Sequence, residues 1–180
     1  MAHAMLHTPV GDLGVAATAR GVSAIELTGP ADGTYGVDDA SGEARAMLGT
    51  ALGQLREWFA GDRTGFDVPL DVPGLPEPGW AAEPDADERA AGTGVPFRLR
   101  ALAALREVPW GVTVSYGELA ALAGSPRAAR AAGGVCAGNP VPLIIPCHRV
   151  LPASGALGAF GGGTDMKRAL LAREGVRVRP

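Results

Sequence analysis

Cys147 is followed directly by His148 and Arg149 and preceded by Pro146, and this short run holds the strongest chemical signal in the 180-residue chain. A cysteine works as a nucleophile only as the thiolate, so it needs a base or a positive charge close by. His148, Arg149 and the amides of a following turn are the candidates to supply one. Adjacency in sequence does not establish contact in space, and from residue types alone a packed, inert cysteine is the competing reading. The second cysteine, Cys136, lies eleven residues earlier in an Ala/Gly-rich stretch. With no CxxC and no second pair of cysteines, neither a disulfide framework nor a structural zinc site is indicated, and no metal is expected.

The nucleophile needs elements to hold it. In Gly138 to Val150 the prolines 140, 142 and 146 impose an extended path, and Leu143-Ile144-Ile145 reads as buried. That arrangement delivers Cys147 and His148 at the end of an ordered segment. Upstream, Ser115-Tyr116-Gly117-Glu118 has the spacing of a capping box that opens a short helix ending at Gly124. Ser125-Pro126 then reads as the cap and first position of another helix, running from Pro126 to about Ala137. Two short helices joined by a glycine turn suggest a helix-turn-helix. The second is nearly all Ala, Gly and Val, with Arg127 and Arg130 its only long polar side chains. It lacks the side chains that read bases in the major groove, so it suits close approach to nucleic acid without choice of sequence; packing against a neighbouring element is the alternative. A further helix is expected from Pro96 through Val108, stopped by Pro109.

The first thirty residues alternate apolar runs with turn dipeptides and read as an antiparallel meander. Ala44, Met47, Leu48, Ala51, Leu52, Leu55, Trp58 and Phe59 then form the apolar stripe of a helix that Gly61 can close over one face of the sheet. From Asp71 to Gly94 prolines, glycines and the acids Glu83, Asp85, Asp87 and Glu88 mark a linker or excursion, from which Trp80 could dock back. The expected organisation is an α/β domain over residues 1–70, a linker over 71–94 and a mainly helical domain over 95–180. The net charge of −3 conceals an asymmetry: residues 1–94 carry 5 basic and 15 acidic side chains, and residues 95–180 carry 11 and 4. A polyanion would meet the second half, although a solvated surface explains a charge excess equally well. At 47% hydrophobic and 19% charged the chain reads as globular. It shows no membrane-spanning run and no secretory signal, which reads as cytoplasmic.

Asn139-Pro140 followed by Ile145-Pro146-Cys147-His148-Arg149-Val150 resembles the signature of the O6-alkylguanine-DNA alkyltransferase family. The likeness extends from Val108 to Gly175, through Thr113 to Tyr116, Pro126 to Arg130, Gly133-Gly134, the loop Gly155 to Gly163, and Leu170-Leu171 before Glu174. It implies a mixed α/β fold whose C-terminal domain carries a winged helix-turn-helix-like DNA-binding motif. It implies that Cys147 accepts an alkyl group irreversibly, with His148 as base through a water and Glu174 orienting the imidazole. Tyr116 would crowd the target phosphate and bond the flipped base, Arg130 would fill the stack in its place, and Asn139 would be the hinge. Backbone groups of Cys147, Val150 and Gly161 would hold the guanine, beside Phe160 and the pocket lysine Lys167. The implied partner is double-stranded DNA containing O6-alkylguanine, and O4-alkylthymine too, met through the minor groove by a monomer without cofactor. Phe160 stands where the family usually has Tyr, Gly161 where relatives have Ser, and Arg98 and Ala101 where it has Gln and Trp; the 71–94 excursion is long for the family. Two other classes compete: a lesion-binding protein, which would lack the nucleophile, and a cysteine hydrolase, which would turn over.

Overall fold

The computed structural model of the chain describes residues 1–28, 41–79 and 94–178. It divides into two compact units, one of Met1–Val72 with Pro140–Ile144 and the other of Pro73–Asn139 with Ile145–Pro180. The class is the mixed α/β one expected.

In the first unit, β1 (Ala2–Thr8), β2 (Gly11–Ala17) and β3 (Val22–Glu26) form the antiparallel meander in the order β1-β2-β3. Leu6 faces Leu13 and Val15 faces Ile25, so the alternating apolar residues share one side. The helix α1 (Gly42–Ala60) packs on this sheet through Ala44, Leu48, Ala51, Leu55 and Trp58. Ser41 caps its start by accepting from the Ala44 amide, and Gly61, at φ 95°, takes the left-handed conformation that closes its end. Beside β3 runs the strand-like stretch at Leu70: the Val22 amide donates to the Pro69 carbonyl at 2.9 Å and the Asp71 amide to the Val22 carbonyl at 2.9 Å. Only glycine fits at position 21, since a Cβ there would lie 2.5 Å from the Pro69 oxygen. The chain rejoins this unit at Pro140, whose carbonyl accepts from the Ile25 amide at 2.9 Å. Leu143 is buried in the left-handed region at φ 76°, a conformation that costs a branched residue roughly 1–3 kcal/mol and that its burial must offset.

The second unit is mainly helical. Among the described residues its first helix is α2 (Phe97–Arg106), which begins after Pro96 and ends two residues before the expected Val108, whose amide turns back to the Leu105 carbonyl at 3.2 Å before Pro109. The capping box at the start of α3 (Tyr116–Leu122) forms in both directions, with the Glu118 amide donating to Ser115 Oγ at 3.1 Å and the Ser115 amide to Glu118 Oε2 at 2.6 Å. The next helix, α4 (Ala129–Ala137), starts three residues later than the expected Pro126. Ser125 is not its cap: the Ser125 carbonyl accepts from the Ala128 amide at 2.9 Å, which closes a turn, and Oγ accepts from Arg100 Nη2 at 3.1 Å. Helices α2, α3 and α4 pack on one another as a helix-turn-helix with its supporting helix. A parallel pair, β4 (Val114–Ser115) with β5 (Val150–Leu151), joins the start of α3 to the chain just past Cys147. The last helix is α5 (Gly163–Arg173). Of the expected linker, Gly79 donates its amide to Glu107 Oε1 at 3.2 Å, whereas 80–93, including Trp80 and the acidic cluster, lie outside the described residues. Among the described residues no helix is long and apolar enough to cross a membrane.

Candidate active site

Residues Cys147–Arg149 form a single 3-10 turn leading into β5. The Cys147 amide donates to the Ile145 carbonyl at 2.8 Å, and the Arg149 amide to that of Pro146 at 2.9 Å. Asn139 Nδ2 also donates to the Ile145 carbonyl, at 2.7 Å, pinning the end of α4 to the segment that carries Cys147. Cys147 is only 6% exposed. Burial raises its pKa, against the Asn139 side chain, the Lys167 charge and the amides of Cys147 and His148, all of which favour the thiolate. At rest it is therefore a thiol in surroundings arranged for its anion.

Behind it His148 is fully buried, and its Nε2 lies 2.9 Å from Glu174 Oε1 at the end of α5. Glu174 is also clasped by Arg149, with Nε at 2.9 Å from Oε2 and Nη2 at 2.8 Å from Oε1, and it accepts from the Gly111 amide at 3.2 Å. The hydrogen bonds from His148 and Arg149 outweigh burial and hold the Glu174 carboxyl at a pKa of about 2. An ionised carboxylate only accepts, so the proton between them belongs to Nε2 and the imidazole lone pair to Nδ1. Burial, with the charges of Arg149 and Lys167, lowers the His148 pKa despite Glu174. The ring is neutral near pH 7 and able to take a proton.

Lys167, buried on α5, donates through Nζ to the Val150 carbonyl at 2.7 Å. Beside Cys147 opens a cavity of about 300 Å³ lined by Tyr116, Gly133, Cys136, Ala137, Ala159, Phe160 and Gly161. Burial raises the Tyr116 pKa, which keeps its hydroxyl a donor. Cys136 also faces the cavity, but burial raises its pKa to about 12, so it stays an unreactive thiol.

The structure thus brings Asn139, Lys167 and the His148 amide to bear on Cys147, joins Glu174 to the His148 ring and Lys167 to the Val150 carbonyl, and sets Tyr116, Phe160 and Gly161 around the cavity. Arg130 is apart from both, exposed on α4 with Ala131, Gly134 and Ala137, and Arg127 is exposed in the turn before that helix. The small-residue face of α4 is therefore partly solvent-facing, with Ala132 and Val135 turned inward. Two participants escaped the reading of residues. Residue types offer Arg149 only as a charge near the thiol, while its partner stands 25 residues away; nothing local to Cys136 marks it as sharing a cavity with Cys147. Among the described residues no group of three His, Cys, Asp or Glu side chains could hold a metal ion.

Comparison with known proteins gives a consistent picture. The DNA-binding domain of 6-O-methylguanine DNA methyltransferases matches residues 96–176, and their ribonuclease-like domain matches residues 1–72. A methylated-DNA–protein-cysteine methyltransferase of Mycolicibacterium paratuberculosis is 42% identical over 130 residues, 72% of this chain and 66% of that protein. This chain therefore spans about two thirds of the mycobacterial relative's length. The human methylated-DNA–protein-cysteine methyltransferase is 36% identical over 178 residues, covering 99% of this chain and 82% of its own. The crystal structure of Mycobacterium tuberculosis OGT in complex with DNA aligns with a TM-score of 0.74 at 34% identity, covering 97% of this chain and 92% of that one.

Proposed function

The chain belongs to the 6-O-methylguanine DNA methyltransferase family, and we propose that it repairs DNA by moving the alkyl group of O6-alkylguanine irreversibly onto Cys147. O4-alkylthymine is a second substrate of the same chemistry. The observation that carries this reading is the buried Cys147 at the wall of a cavity of about 300 Å³, backed by the buried His148 and Glu174 pair at 2.9 Å.

The thiol proton passes to His148 Nδ1 through a bridging water, and the thiolate attacks the alkyl carbon. The sulfur–carbon bond forms as the carbon–O6 bond breaks, and its electron pair leaves with the guanine, which regains through water the proton that the thiol gave to His148. Glu174 orients the imidazole, and Tyr116, kept as a phenol by burial, donates to the base. Backbone groups of Cys147, Val150 and Gly161 hold the guanine, Phe160 flanks it, Lys167 steadies the Val150 carbonyl and Asn139 is the hinge between α4 and the nucleophile.

Residues 95–180 are the DNA-binding and alkyl-acceptor part. They enter the minor groove through α4, whose exposed face of small residues allows close approach. Arg130 fills the stack when the damaged base is extruded, and poor pairing of the alkylated base lowers the cost of extrusion. The protein acts as a cytoplasmic monomer and is consumed one molecule per lesion.

Incubation with duplex DNA containing O6-methylguanine should add the mass of one methyl group per chain, mapped to Cys147. An adduct on Cys136, full activity in Cys147→Ala, or repeated turnover by one molecule would refute the assignment, the last pointing to a hydrolase.

A further inference from the structure

Taking Cys147 as the alkyl acceptor, we propose that Arg149 is a positioning residue for the transfer step: its guanidinium grips both oxygens of Glu174 and so limits what that carboxylate does for His148. The contacts leave Glu174 little freedom. Oε1 accepts from Arg149 Nη2 at 2.8 Å and His148 Nε2 at 2.9 Å, and Oε2 from Arg149 Nε at 2.9 Å and the Gly111 amide at 3.2 Å. A carboxylate offers about four acceptor positions, so this one is saturated. Arg149 is itself anchored, since Nη1 donates to the Val108 carbonyl at 2.6 Å. One buried side chain thereby ties the turn after α2, the 3-10 turn of the nucleophile and the end of α5.

The electrostatic consequence follows from charge balance. A buried carboxylate alone beside an imidazole favours the imidazolium, which has no lone pair to receive the thiol proton. With Arg149 across it, the carboxylate's charge is matched, and it serves as an acceptor for Nε2–H while leaving the ring neutral. Among the described residues the charged groups that act on His148 are Glu174 and Lys167 from α5 and Arg149 from its own turn. Of these Glu174 favours the charged ring, while Arg149 and Lys167 oppose it and add to the larger effect of burial. Among the described residues the buried ionisable groups beside His148 are the Glu174 carboxylate, the Arg149 guanidinium and the Lys167 amine, whose pKa burial lowers while the neighbouring thiols favour its charged form. The excess positive charge favours ionising Cys147 and disfavours protonating His148 early.

The test is the pH dependence of single-turnover methyl transfer from a duplex O6-methylguanine oligonucleotide, for wild type, Arg149→Met and Arg149→Lys, with the His148 ring titrated by NMR. Arg149→Met should move the acid limb to higher pH by roughly one to three units, as expected for removing one close charge. Arg149→Lys keeps the charge without the fork; its acid limb should stay near that of wild type while its plateau rate falls. An acid limb unmoved in Arg149→Met, with only a lower melting temperature, overturns the proposal. If Arg149→Met does not fold, the other two proteins decide: a wild-type His148 ring protonated at neutral pH, or Arg149→Lys matching wild type in plateau rate, overturns it. A wild-type protein that forms no adduct at any pH sinks the alkyl-transfer reading itself, a different outcome from an active enzyme indifferent to Arg149.

Discussion

At the scale of single residues, the chemistry of Cys147 depends on groups the chain brings from elsewhere. His148 is a neighbour in sequence and could be suspected from that alone, whereas Glu174 and Arg149 meet across 25 residues, a separation that leaves no local signature. Only the family likeness points to Glu174. Its pairing with His148 and Arg149 has a consequence for stability. The folded carboxyl titrates at about 2 against an ordinary 4.5, a depressed value, so its contribution is present above the unfolded pKa and is lost as pH falls through the folded one. The window therefore runs from about pH 5 down to about pH 2, with an effect on the order of 3 kcal/mol. Denaturant unfolding across that range should show Glu174→Gln with a flatter pH dependence than wild type. At neutral pH Glu174→Gln should be less stable by about 3–5 kcal/mol, because Arg149 keeps its buried charge without a counter-charge. Equal pH slopes for the two proteins would contradict the ion-pair account.

At the scale of elements, the readings that succeeded rest on short-range physics. The stripe from Ala44 to Trp58, the Gly61 stop and the Ser115 and Glu118 capping box depend on residues within a few positions of one another, and all three are present. Ser125-Pro126 obeys the same local rule and yet does not start a helix, because Arg100, 25 residues away, takes the serine hydroxyl and a turn closes first. The left-handed Leu143 was equally hidden, since no residue-type rule puts a branched side chain at φ 76°. The two serines make a direct comparison. Ser115→Ala removes a formed cap and should lower stability by about 1 kcal/mol. Ser125→Ala loses only its contact with Arg100 and should cost less, about 0.5 kcal/mol. Calorimetry of the two variants checks the order; a larger loss at Ser125 would mean that the turn before α4 holds the helix-turn-helix together more than the cap does.

For the molecule as a whole, the division of charge was legible from composition, with 15 acids against 5 bases before residue 95 and 11 bases against 4 acids after it. What composition could not say is which basic residues serve attraction and which serve the lesion. Arg149 and Lys167 are buried and unavailable to phosphate, while Arg127 is exposed in the turn before α4 and Arg130 is exposed on the first turn of that helix. An arginine that neutralises phosphate should act on all DNA alike, and its loss should reduce the dependence of affinity on salt by roughly one ion per contact. An arginine that fills a vacated stack should act only where a base leaves the duplex, offsetting about a few kcal/mol of unstacking that a free base never incurs. Arg130→Ala is therefore expected to slow transfer from a duplex lesion much more than transfer from free O6-alkylguanine, with binding to undamaged DNA changed little. Arg127→Ala should instead lower affinity and salt slope while leaving the ratio of duplex to free-base rates near that of wild type. Single-turnover rates on both substrates, with binding measured across salt concentrations, separate the two. Equal declines of duplex and free-base rates in Arg130→Ala, or a change confined to its salt slope, would assign Arg130 to phosphate and leave α4 without an extrusion residue among its own side chains.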